Sequence, residues 1–188
     1  MQNSLLSPSE IHERFAAIVA KSLRIEASQV TPDASLADLG AESLDLLEIT
    51  MEAEDEFAIL MPQKDVLQMG QDVFGPGVLV NEGRLTDAGV RFLQRRMPES
   101  EAGALSAGMP VAEVARLFQQ VRTWVRVIEG LLEQQPRQCP TCSEALSKAV
   151  AGRFKCGGCG HEVDLPAGDD LNRRWVEEYF RTEHASLA

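Results

Sequence analysis

Two Cys-x-x-Cys pairs, Cys139-Pro-Thr-Cys142 and Cys156-Gly-Gly-Cys159, stand 13 residues apart and constrain this chain more than any other feature. Each pair can form a tight turn that aims both sulfurs at one point. Two such turns supply four thiolates in tetrahedral array, which is what a closed structural zinc site needs. Glycines 157, 158 and 160 suit the backbone of such a turn, and Gly152 suits a turn joining two short strands. All four cysteines fall between residues 139 and 159, so they form one local device and not a chain-wide disulfide framework. Four thiolates leave no open coordination position, which argues against catalysis at the metal. Iron accepts the same four ligands and stays open as the metal. A redox dithiol would call for one pair in a strand–helix pattern, not two in a small irregular segment. His161 is surplus to a four-cysteine set.

The remainder of the 188 residues reads mainly as helix, enough for one ordinary domain or two small ones. Ser7-Pro8-Ser9-Glu10 offers a cap, a proline at the first helical position and a glutamate at the third. Ile11, Phe15, Ile18, Val19 and Leu23 then fall on one helical face. A polar loop interrupted by Pro32 leads to a second helix starting at Ser43 or Leu44 and running to about Phe57. Residues 62–69 suit a short third helix, and "VLV-NEG-RL" suits a small hairpin. Thr86 is placed to cap a helix running to Arg96. A small, polar, proline-bounded stretch at 98–110 marks a boundary. Beyond it, Val111, Val114, Leu117 or Phe118, Val121, Val125, Ile128 and Leu132 predict one long amphipathic helix over 111–134. A last helix, capped at Asp169 or Asp170, presents Leu171, Trp175, Val176, Tyr179 and Phe180.

Charge narrows the function classes. The chain carries a net charge of −11, which opposes broad attachment to nucleic acid or anionic membrane. Residues 137–188 are nearly neutral, so a nucleic-acid role for the cysteine segment is disfavoured too. The amino terminus lacks the basic start and apolar run of a signal peptide, and no stretch approaches a membrane-spanning length, so the expected location is cytoplasmic. From Asp38 to Phe57 there are acids throughout and no lysine or arginine. Within that run Ser43 is, at its plainest, a helix cap. "GAESLD" lacks the second glycine of a hydrolase nucleophile elbow, and no acid–base–nucleophile constellation suggests an enzyme.

The wider run "DLGAESLDLLEITMEAEDEF", residues 38–57, resembles the region around the modified serine of acyl carrier proteins. Asp38, Leu39, Gly40, Ala41, Ser43, Leu44, Asp45, Glu48, Met51, Glu54 and Phe57 fall in register with the family's pattern. The resemblance covers roughly residues 8–97 and implies a non-catalytic carrier. Ser43 would be the attachment point for 4'-phosphopantetheine, flanked by Glu42 and Leu44, with acyl groups held as thioesters on the arm. Asp45, Glu48, Met51, Glu52 and Asp55 would meet partner enzymes with basic docking surfaces: a phosphopantetheinyl transferase, then acyl-transfer or condensing enzymes of fatty acid or polyketide biosynthesis. Glu42 departs from the family's usual aspartate, and the segment Val73 to Gly83 is longer than the usual connection.

The cysteine segment resembles a zinc ribbon. The fold class expected is therefore mainly α: a four-helix acyl-carrier-like bundle, a long helix, then a small β zinc ribbon with a C-terminal helix. The expected divisions are 1–98 for the carrier, 99–136 for a linker and the long helix, and 137–188 for the ribbon and last helix. The ribbon would dock the carrier to a dedicated enzyme, or it and the long helix would hold a homodimer. Two readings compete: an unmodified carrier-like interaction module, and a zinc-ribbon nucleic-acid binder.

Overall fold

Helix α1 (Pro8–Leu23) begins at the cap written into its sequence. Ser7 N–H donates to the Glu10 carboxylate at 2.8 Å while Glu10 N–H donates to Ser7 Oγ at 3.3 Å, a reciprocal capping box. These are features of a computed structural model that describes residues 6–101, 103–148 and 153–185. The helix buries Ile11, Phe15, Ile18 and Val19. It ends at Arg24 in the left-handed conformation, and a long loop with one 3-10 turn, Ala27–Gln29, carries Val30 and Leu36 into the same core. Helix α2 (Ser43–Phe57) adds Ile49, Ala53 and Phe57. The fold is mainly helical, as expected.

The helix that completes this core comes from far along the chain. Helix α3 (Val66–Phe74), strands β1 (Val80–Asn81) and β2 (Arg84–Leu85), helix α4 (Asp87–Arg96) and helix α5 (Val111–Phe118) all intervene before α6 (Val121–Glu133). It is α6 that lies against α1 and shares its core with α2, burying Val121, Val125, Ile128, Leu131 and Leu132. Phe15 stacks on Trp124 with ring centroids 5.3 Å apart. The helix expected after Thr86 does form as α4, with Gly89 N–H donating to the Thr86 hydroxyl at 3.0 Å. It packs elsewhere.

The segment expected as one long helix is divided between α5 and α6. Leu36 N–H donates to the Gln119 carbonyl, and Val121 N–H donates to the Ala34 carbonyl, each at 3.0 Å. Pairing with the loop takes Val121 out of the i−4 ladder, so the helix must turn there. The apolar seam of the long helix is covered along α6 chiefly by α1, with Leu171 of the final helix packed against the same core.

A second core joins α3, the β1–β2 hairpin, α4, α5 and helix α7 (Gly168–Ala185) around Leu67, Leu79, Phe92, Leu93, Met97, Val114 and Val176. It is more aromatic than the first. Phe92 meets Trp175 and Tyr179 edge-on at 5.0 and 5.3 Å. Gly89 is required here because a Cβ would fall 2.1 Å from the Leu79 carbonyl oxygen.

Strands β3 (Leu146–Lys148), β4 (Arg153–Cys156) and β5 (Glu162–Asp164) form an antiparallel sheet in that order. The turn expected at Gly152 lies outside the described residues. Phe154 and Leu165 pack on Ala58, directly after α2. Gln135 Nε2 donates to the Phe57 and Ala58 carbonyls at 2.7 and 3.0 Å, satisfying acceptors at the end of α2. Leu60 and Ala167 pair, and Gly168 sits so close to Pro62 that a Cβ would lie 2.4 Å from it. Packing crosses the positions expected as boundaries, 98 and 136: residues of the expected long helix, in 121–133, complete the first core.

Candidate functional site

Gly40, at φ +92°, turns the chain toward α2 in a conformation that favours glycine. Leu36, Leu39 and Ala41 anchor the loop in the first core, while Glu42, Ser43 and Leu44 remain exposed. Glu42, not Ser43, occupies the N-cap, and Ser43 is the first helical residue. The plain capping role is thereby removed from the serine hydroxyl. Glu42 N–H donates instead to the Asp45 carboxylate at 2.8 Å, so Asp45 helps to hold the helix start as well as lying on the expected docking helix.

The acids of α2 divide by face. Glu48 accepts from the Ser22 hydroxyl at 3.2 Å, Glu52 pairs with Lys21 at 2.7 Å, and Glu56 pairs with Arg14 at 3.1 Å. Their spacing of four places them in one row facing α1. Glu52, expected to meet partners, is thus engaged within the chain. Asp55 is exposed and also has an interaction within the chain.

An apolar stripe lies on the outer side. Leu44, Leu47 and Met51 are 80%, 56% and 61% exposed, at i, i+3 and i+7. Leu44 and Met51 were expected there. Leu47 was not singled out, although its spacing from Leu44 was the available signal. Together they place an apolar strip directly after an exposed serine, which suits short-lived contact with a partner.

The four cysteine sulfurs lie within 4.8 Å of one another. Cys142 Sγ is 3.3 Å from Cys156 Sγ and 3.4 Å from Cys159 Sγ, and Cys139 Sγ is 3.6 Å from Cys159 Sγ. Tetrahedral ligands at the usual Zn–S length stand about 3.8 Å apart, so the donor set fits zinc. Burial opposes ionisation of Cys139, but N–H groups of Thr141 and Cys142, and the neighbouring thiols of Cys159 and Cys156, outweigh it and bring that thiol down to about 6. At Cys156 the Cys159 N–H lowers the thiol against the effect of burial. Positive φ occurs at Gly160 and Ser143, not at Gly157 or Gly158. At Gly158 a Cβ would approach the Glu144 side chain, with Cγ at 2.9 Å. His161 is not part of the cluster.

Similarity to known proteins follows the first of these sites. Residues 13–72 match the family described as the phosphopantetheine attachment site. An acyl carrier protein of Thermosynechococcus vestitus is 42% identical over 71 residues, which cover 36% of this chain and 88% of that protein. No solved structure matches the chain. With the matched segment running from α1 through Ser43 and α2 into α3, and nearly the whole of that relative accounted for, the chain belongs to the acyl carrier protein family.

Proposed function

We propose that Ser43 carries a 4'-phosphopantetheine arm and that the protein holds acyl groups as thioesters, presenting them to successive enzymes along α2. The observation that carries this reading is the exposed hydroxyl at the first residue of α2, inside the segment that matches phosphopantetheine attachment sites. A separate transferase would join Ser43 Oγ to the phosphorus of the arm, with the nucleotide half of coenzyme A leaving. The arm, when attached, supplies a terminal thiol for thioester chemistry. This chain's own part is to expose Ser43, to place the phosphodiester at a helix start whose dipole tolerates negative charge, and to guide partners.

Guidance is divided between chemistries. Leu44, Leu47 and Met51 offer the apolar contact, while Glu42, Asp45, Glu48 and Asp55 contribute a negative field that steers basic partner surfaces. Modest affinity suits a shuttle that must release each enzyme. The carrier unit in this reading is α1, α2 and α6 with their loops.

Cys139, Cys142, Cys156 and Cys159 are proposed to hold structural zinc. The ribbon they brace sits beside the end of α2 and would dock a dedicated enzyme or a second copy. A cytoplasmic location is part of the same reading; among the described residues no helix is long and apolar enough to cross a membrane.

Intact-mass measurement after co-expression with a broad-specificity transferase tests the central claim. A single phosphopantetheine increment, lost in Ser43→Ala, is expected. Unmodified protein with a folded carrier core would instead leave an interaction module.

A further inference from the structure

Ser43, Leu46 and Thr50 follow one another at i, i+3 and i+7, on one side of α2. Leu46 and Thr50 form part of the wall of a cavity of ≈ 380 Å³ between α2, the loop before α3, α6, and the helices of the second core. From Ser43 to Thr50 is only about 10 Å of helix rise, well within the span of an extended arm. Leu46, Phe118 and Trp124 are among the apolar residues of its wall.

Lys64, Arg96 and Arg126 all line it, in a chain whose net charge is −11. Asp65, the one acid of the wall, is committed to the start of α3, where its carboxylate accepts from Leu67 N–H at 2.7 Å. Arg126 Nε lies 2.8 Å from Glu99 Oε2, close enough for an ion pair but without hydrogen-bond alignment. Arg96 is stranger. It is 5% exposed, and no carboxylate of the described residues lies within salt-bridge distance of it. Its guanidinium donates through Nη2 to Asn172 Oδ1 at 2.5 Å and lies over the Trp175 ring at 5.6 Å, while Nε has no partner. Burial pulls Arg96 down to about 10 and the charge of Arg126 pulls in the same direction, with the nearby Glu99 carboxylate, already engaged by Arg126, offsetting them only in part.

A buried guanidinium held by a neutral amide and an aromatic face is costly unless something anionic completes it. The completing group must also suit an apolar approach from the Ser43 side. The geometry points to an acyl cargo that ends in a carboxylate: the chain of an ω-carboxyacyl thioester lies along Leu46, Phe118 and Trp124, and its terminal carboxylate is received by Arg96 and Arg126. A planar guanidinium can take a carboxylate through two parallel N–H donors, which a lysine cannot. Lys64 adds long-range attraction at the wall. Plain saturated chains would bring nothing to the buried charge, so the cavity selects among cargoes by their far end.

This inference rests on Ser43 being the attachment point, and the experiment separates the two. Apo protein is loaded enzymatically with adipoyl- and, separately, hexanoyl-phosphopantetheine, and intact mass establishes loading. Cleavage of each thioester by hydroxylamine is then timed. The adipoyl form is expected to be cleaved about tenfold more slowly than the hexanoyl form, the factor that corresponds to one charge-assisted hydrogen bond. Arg96→Lys and Arg126→Gln should each remove most of that difference. Because Arg96 also holds Asn172, circular dichroism confirms the fold of each variant; Arg126→Gln leaves the Asn172 contact in place.

Equal cleavage of the two cargoes in the wild-type protein, or a difference that persists in both variants, overturns the proposal. Should loading fail altogether, the attachment reading falls while the cavity is still testable. The adipoyl and hexanoyl thioesters of N-acetylcysteamine are then titrated against the apo protein by NMR. Shifts of the Arg96 and Arg126 side-chain N–H signals with the adipoyl compound alone support the site, and equal shifts with both sink it.

Discussion

The two cores of this protein are built from opposite strategies of chain use. The second core gathers α3, the hairpin, α4 and α5 from one stretch and then adds α7. The first takes α1 and α2 from the beginning of the chain and α6 from beyond residue 120. Chain continuity thus suggests a carrier that ends near residue 98, whereas packing says that such a fragment lacks a wall. Elements inserted between α2 and α6 do not merely hang from the carrier. They share a cavity with it, whose wall includes the buried Arg96 of α4.

The largest test of that difference is truncation. A fragment of residues 1–98 loses Val121, Val125, Ile128 and Leu131 from the first core, and a core of that size does not survive losing one of three helices. It is expected to lose cooperative thermal unfolding by circular dichroism. A fragment of residues 1–136 keeps the first core and should retain a cooperative transition, although without α7 the second core loses Val176 and Trp175. If the shorter fragment unfolded cooperatively near the full-length temperature, α6 would be dispensable.

Point substitutions sharpen the same contrast. Ile128→Ala, at a fully buried site of the first core, should cost about 2–5 kcal/mol, and Phe92→Ala in the second about 3–5 kcal/mol, both by urea unfolding. Ile128→Ala should disturb Ser43 modification, because α6 supports the loop that leads to α2 through the Val121 N–H, which donates to the Ala34 carbonyl. Phe92→Ala should leave modification in place.

Much of this was legible in the residues. Helix α1 and its cap, the Thr86 cap of α4 and the cysteine cluster follow from local chemistry: which side chain can reach which N–H, and which spacing aims which sulfur. What stayed hidden is non-local. The 111–134 pattern is apolar at helical spacing throughout, and nothing in it tells that Val121 N–H will prefer the carbonyl of Ala34 to its own helix. The partners of α6 were equally hidden, since an amphipathic stripe says that something covers it but not what. Likewise, the acids of α2 read as one field; only the position of α1 shows that Glu48, Glu52 and Glu56 face inward partners.

Metal removal probes a third region against the first core. If the proposed zinc is stripped by a strong chelator, or in Cys142→Ser, the β3–β5 sheet should lose order, since the cation that would tie the two cysteine turns together across four sulfurs within 4.8 Å is gone. The first core should remain cooperative, because the apolar contact of Phe154 and Leu165 is with Ala58, past the end of α2. Amide spectra recorded before and after chelation check this; collapse of α1, α2 and α6 signals would show the ribbon to be integral to the carrier.

The two sides of α2 give the finest contrast. Leu47→Ala on the outer side should change stability by no more than about 0.5 kcal/mol, yet slow transfer by the modifying enzyme, because the stripe is exposed and makes no core. Lys21→Ala acts on the inner side. It frees Glu52, whose carboxylate now pairs with Lys21 at 2.7 Å and in turn raises the lysine's pKa. Both groups lie at the surface, so the pair contributes little to stability and the unfolding midpoint should barely move. The released acid, however, adds to the negative field that meets a basic partner. Association should therefore become faster at low salt and more steeply dependent on ionic strength, the signature of steering. Stopped-flow binding to the transferase across a salt series measures it. An unchanged salt slope would mean that the inner row of acids never takes part in docking, leaving the outer stripe with Glu42 and Asp45 to carry recognition.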